Sequence, residues 1–154
     1  TQKDYGKALS LYEECWGMRK IVWGDNHPDT LAALANLAIV YDVQREYKKA
    51  SLHYEDCLRM RKVVLGDNHP DTLNSMNNLG SVYYKQREYG KALPLYQDCL
   101  RIRKLVFGES HPDTLTSMNN LANLYKNQRE HEKALLLYEE CLRQRKVVLG
   151  ENHP

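Results

Sequence analysis

The stretch from Gly66 to Phe107 reads GDNHPDTLNSMNNLGSVYYKQREYGKALPLYQDCLRIRKLVF, and it recurs on both sides of itself. Gly24 to Leu65 matches it at 26 of 42 positions, and Gly108 to Leu149 matches it at the same number. A fixed period of this size signals a repeat architecture and has to be read before any single motif. Gly24, Gly66, Gly108 and Gly150 mark the register, followed by His27, His69, His111 and His153, each with Pro next. Cys15, Cys57, Cys99 and Cys141 sit in the other half of the unit. The chain therefore divides into a half unit over 1–23, full units over 24–65, 66–107 and 108–149, and the start of another over 150–154.

Each unit reads as two helices. In the middle one, Asn68 is placed to cap a helix with Pro70 in its first turn and Asp71 three residues after the cap. Ser110 and Asp113 repeat the pattern. Met76, Leu79, Gly80 and Tyr83 then share one helical face. Gln86, Arg87 and Glu88 form a short turn. A second helix from about Tyr89 to Val106 turns Ala92, Tyr96, Cys99, Leu100 and Arg103 inward, the arginine with its stem packed and its head out. Gly108 ends it as a helix-terminating glycine. Nothing alternates like a strand. The expectation is an all-α chain of seven helices, a lone one near Asp4 to Val22 and then three antiparallel pairs. One pair cannot bury its own apolar face, so successive pairs stack into a solenoid.

Composition agrees with a globular repeat array. Among 154 residues, 42% are hydrophobic and 27% charged, and 22 basic against 20 acidic side chains leave a formal charge of +2. The mean hydropathy of -0.68 and the lack of a long apolar run exclude a membrane-spanning helix. The balanced charge argues against nucleic acid as a partner, which needs a basic stripe.

Leu79-Gly80 and Tyr83, followed by Ala92, Tyr96 and Cys99, resemble the small-and-large pattern of the tetratricopeptide repeat. Leu37-Ala38, Tyr41, Ala50, Tyr54 and Cys57 repeat it, as do Leu121-Ala122, Tyr125, Ala134, Tyr138 and Cys141. The unit is eight residues longer than the family's usual length of about 34. With His-Pro-Asp-Thr-Leu opening the first helix, it is similar to the kinesin light chain type and to arrays found in large signalling ATPases. The resemblance implies a right-handed α-solenoid. Two features depart from the family pattern. Arg45, Arg87 and Arg129 stand in turns that commonly hold glycine, which implies a slightly altered turn, and Pro94 lies inside a helix, where it removes a donor and can bend the helix start.

The rare residues read as structural. Four cysteines at one repeat position, on the buried face of successive helices, lie too far apart for disulfides. Buried, reduced thiols favour an intracellular, reducing compartment, here cytoplasmic. One histidine per repeat cannot gather around a metal ion, so each reads as a residue that packs at a helix start. His53 and His131 have no evident partner. No phosphate loop, nucleophile motif or buried carboxylate pair is present, so no enzymatic activity, cofactor or metal is expected.

Functional content lies in the first helix of each pair, which the resemblance places on the concave surface. The candidate peptide-binding residues are Asn74, Asn77, Ser81, Tyr84 and Lys85 in the second unit, and Asn119, Asn123, Lys126 and Asn127 in the third. Asparagine offers both a donor and an acceptor to a peptide backbone. Lys85 and Lys126 would favour acidic sequence. Ala32, Ala35 and Ile39 form an apolar end, and Asp42 and Val43 complete that row. Asn36, Asn78 and Asn120 read as structural bridges to the neighbouring pair. On the outer face, Glu55 with Arg59 and Glu139 with Arg143 are expected as ion pairs four residues apart.

The sequence thus points to a protein-interaction scaffold that holds a peptide segment of a partner protein in its groove, in the manner of a cargo adaptor. The alternatives are a structural or self-assembling fragment without a peptide ligand, and the ligand-sensing array of a larger signalling ATPase. Uncapped terminal helices suggest end-to-end association between copies.

Overall fold

In a computed structural model the backbone is described for residues 2–149 and side chains for 6–147, so Gly150, His153 and Pro154 lie outside the described residues. Seven helices follow one another: α1 (Gln2–Trp23), α2 (Pro28–Val43), α3 (Tyr47–Leu65), α4 (Pro70–Lys85), α5 (Tyr89–Phe107), α6 (Pro112–Asn127) and α7 (His131–Leu149). They pack as successive antiparallel pairs, each helix against its neighbours in sequence. The expected fold is the one observed.

The start of each first helix corrects the sequence reading. The cap is the histidine, not Asn68 or Ser110. His27, His69 and His111 have extended backbone, and each Nδ1 accepts from the amide two residues on, at 3.2, 3.1 and 3.1 Å. A ring nitrogen acts here as a side-chain oxygen usually does, satisfying one of the orphan amides of the first turn. The aromatic residue that ends the preceding helix packs on two of these rings, Trp23 on His27 at 5.1 Å and Phe107 on His111 at 4.7 Å between centroids.

The turns inside each pair also differ from expectation. Arg45, Arg87 and Arg129 adopt φ of 62°, 63° and 64°. The turn keeps the left-handed geometry that glycine would supply, and arginine bears the steric cost. Pro94 lies within α5, which continues through it to Phe107.

The core is one continuous cluster along the stack. Ala92, Tyr96, Cys99, Leu100 and Arg103 are all buried, as the helical spacing required. A Cβ on Gly80 would stand 2.8 Å from the Tyr96 ring, so the missing side chain admits the ring. Cys57, Cys99 and Cys141 are buried free thiols whose sulfurs donate to the carbonyls of Leu31, Leu73 and Leu115. Burial raises the pKa of the Cys57 and Cys99 thiols. Cys15 departs from the reading of four buried cysteines, because it is exposed on α1.

Arg103 is the larger correction. Its head is not in solvent: the residue is only 2% exposed. Its guanidinium donates to the Asp113 carbonyl and Ser117 Oγ, each at 2.8 Å, and to Asn74 Oδ1 at 2.6 Å. Arg61 repeats the arrangement with the Asp71 carbonyl at 2.9 Å and Ser75 Oγ at 2.8 Å. Each arginine thus bolts the second helix of one unit to the first helix of the next.

Candidate peptide groove

Hydrogen bonds 43 residues apart join successive first helices. Lys85 Nζ donates to both carboxylate oxygens of Asp42, at 2.6 and 2.8 Å. Asn120 Nδ2 donates to Asn77 Oδ1 at 2.9 Å, and Asn127 Nδ2 donates to the Tyr84 hydroxyl. This bonding ties α2 to α4 and α4 to α6 along one side of the stack. The nine nominated residues therefore do lie along one continuous face.

Most of them are engaged in holding that face. Asn74 accepts from Arg103, and Asn77 accepts from Asn120. Ser81 hydrogen-bonds the Tyr96 hydroxyl. Asn123 Oδ1 accepts from the Tyr138 hydroxyl at 2.6 Å, and its carbonyl accepts from Asn127 at 3.1 Å. Lys85 is paired with Asp42, so its charge is already compensated. Asn119, half-buried, and Lys126, exposed, make no side-chain hydrogen bond or ion pair among the described residues. A spacing argument could place these side chains on a face but not reveal which were taken, since the partner comes from the next repeat.

The face grades in character along the stack. At the α2 end Ala32 and Ala35 are half-buried while Ile39 and Val43 are exposed. At the α6 end stand Asn119, Asn123 and Lys126. Asn78 and Asn120 bridge to the preceding unit, through Tyr54 and Asn77. Asn36 is exposed and forms no such bridge among the described residues.

The outer face holds three features the sequence did not reveal. The ion pairs are three residues apart, Arg59 with Asp56 at 2.9 Å and Arg143 with Glu140, not with Glu55 and Glu139. Glu55 instead accepts from the Tyr83 hydroxyl, and Glu13 accepts from Tyr41 at 2.6 Å. The Glu13 carboxylate and burial push the Tyr41 phenol up to about 12. His53 has partners after all, stacked on Tyr41 at 5.3 Å and edge-on to Trp16 at 6.2 Å between centroids. Among the described residues no three His, Cys, Asp or Glu side chains gather as a metal site would require, and no helix is long and apolar enough to cross a membrane.

Two family models described as tetratricopeptide repeat match the sequence, one over residues 53–105 and 77–146, the other over 1–29 and 30–71. No curated protein sequence matches the chain. Among solved structures, BtubC (BKLC) from P. vanneervenii superposes with a TM-score of 0.88 at 23% identity, over 99% of this chain and 60% of its own. The kinesin light chain candidate of Podosopora anserina, with nearly identical TPR-like repeats, gives 0.88 at 23% identity, over 99% of this chain and 72% of its own. The TPR domain of Arabidopsis FLU gives 0.67 at 19% identity, over 76% of this chain and 95% of its own.

Proposed function

The chain belongs to the tetratricopeptide repeat family, whose domains generally serve protein–protein interaction, and from that premise we propose that its concave face binds a peptide segment of a partner protein. The observation that carries this is the pairing pattern on that face: Asn119 and Lys126 have unengaged polar groups on a surface whose other polar residues are locked in place. Unengaged groups on a rigid frame bind at low entropic cost. The amide of Asn119 reads a peptide backbone, and Asn123 has its Nδ2 for the same purpose. Lys126 favours an acidic residue, while Lys85 positions Asp42 and contributes little selection. Ile39 and Val43 take an apolar side chain at the far end. The free thiols of Cys57, Cys99 and Cys141 suit a reducing compartment such as the cytoplasm.

The test is selection from a random peptide library followed by affinity measurement on Asn119→Ala, Asn123→Ala and Lys126→Ala. Ligands of the groove lose affinity in the asparagine variants and lose preference for acidic sequence in the lysine variant. Unchanged affinity of every recovered peptide would refute the assignment.

A further inference from the structure

We propose that the outer groove between α5 and α7 is a second docking site, separate from the concave face, for a short acidic segment carrying a leucine-like side chain. Its floor is apolar, formed by Leu100, Leu121 and Leu137, with the Tyr125 ring beside them. Leu136 stands at its edge, 67% exposed. The groove is shallow and open, with about 470 Å³ of space above its floor, room for a few side chains of an extended or helical segment. Its rim is cationic: Arg101, Lys104 and Lys133 line it, and no carboxylate does.

The cations recur one unit earlier as Arg59, Lys62 and Lys91, so what sets this groove apart is the carboxylate it lacks. The groove between α1 and α3 is lined by Lys20 and Arg59 together with Asp25 and Asp56, so both signs are present. At the level of Tyr41 and Tyr83 the second helices supply Glu13 and Glu55, which accept from the phenols. At Tyr125 the same repeat position is Gln97, which donates to the phenol oxygen at 2.9 Å. One substitution has thus removed the carboxylate from this groove and kept the hydrogen bond to the tyrosine. The three cations pair with Asp98, Glu109 and Glu130, none of which lines the groove. The Arg101 and Lys133 side chains are 63% and 61% exposed, so their pairs are weak and exchange for a ligand carboxylate more readily than the two-oxygen pair of Lys85 with the 18% exposed Asp42.

The complementary partner carries acidic residues around a leucine, with the aliphatic side chain on the leucine floor and the carboxylates at the three cations. An incoming segment replaces water over Leu136 and the half-buried Leu137. Charge sets its orientation and discriminates against basic sequence.

The experiment uses a fluorescein-labelled peptide of glutamates flanking two leucines and a matched peptide with lysines in their place, titrated by anisotropy against the whole chain. The acidic peptide binds, more weakly as salt rises, and the basic peptide does not. Gln97→Glu restores the carboxylate that Glu13, Glu55 and Glu139 supply at this repeat position, so the fold tolerates it. It lowers affinity by about fivefold. Leu136→Glu, at an exposed position, lowers it by about tenfold or more. Asn119→Ala leaves it unchanged, which separates this site from the concave face. Absence of binding up to about 1 mM, equal binding of both peptides, or insensitivity to Gln97→Glu and Leu136→Glu would overturn the proposal. Loss of binding in Asn119→Ala would do the same by placing the peptide in the other groove.

Discussion

Arg103 Nη1 donates to the main-chain carbonyl of Asp113 at 2.8 Å, across the joint between two repeats. The bond spans a helix end, a turn and a helix start, and the same guanidinium also reaches Ser117 and Asn74. A solenoid is stabilised through interfaces between neighbours, so a side chain that holds one interface acts on the cooperativity of the whole array.

Arg103→Ala removes the charged donor to the Asp113 carbonyl, Ser117 Oγ and Asn74 Oδ1 at a buried joint, and it opens a cavity. The expected loss is about 3 kcal/mol, the cost of stranded buried polar groups with lost packing. Arg145 holds the same repeat position on α7 and is exposed, so Arg145→Ala should leave the unfolding midpoint unchanged. Urea denaturation followed by circular dichroism compares the two. A transition that broadens in Arg103→Ala reports uncoupling of the repeats.

Much of the fold was legible because repetition separates pattern from accident. Ala92, Tyr96 and Cys99 mark the buried face of α5, and the same face recurs at Ala50, Tyr54 and Cys57. The partners of polar side chains were not legible. The acceptors of Arg103 lie ten and fourteen residues ahead, and those of Lys85 lie a repeat behind, distances set by stacking and not by helical period. Long charged side chains can snorkel or bury, and only the neighbouring helix decides which. The nominated groove residues share one side of the first helices because helical spacing fixes that much, while their availability depends on the adjoining unit.

The cap was misplaced by one residue because Asn68 and Ser110 are of the usual capping types and histidine is not. The geometry predicts that His69→Ala costs about 1 kcal/mol, the usual worth of a side-chain cap. His69→Asn, which can still accept from the Asp71 amide, should recover most of it. Thermal unfolding of the two variants measures the difference. Equal destabilisation by both would mean that the ring acts only by packing.

Arg87 holds φ at 63° in the turn between α4 and α5. A left-handed residue with a Cβ costs about 1–2 kcal/mol, of which the entropy of an unfolded glycine returns about half when glycine replaces it. Arg87→Gly is therefore expected to stabilise by about 0.5–1 kcal/mol. Arg87→Val should destabilise, since a β-branched side chain tolerates this region least. Denaturant midpoints for the pair test the sign of each change.

His53 supplies the pH dependence. It is half-buried against Tyr41 and Trp16, where the other units have Leu95 and Leu137. Burial lowers its pKa below 6.5. Lys49 adds to the lowering, and the carboxylates of Asp56 and Glu13 act the other way. A histidine whose folded pKa lies below its unfolded one binds protons more readily when the chain is unfolded. Its linkage therefore leaves stability intact above pH 6.5 and withdraws it as pH falls through that value toward the folded pKa. His53→Leu installs the residue of the other units and removes the linkage. Its stability relative to the unaltered chain should be greater at acidic than at alkaline pH. Parallel urea titrations on either side of neutrality measure that difference, and a gap that stays constant with pH would show that burial of the imidazole costs nothing on protonation.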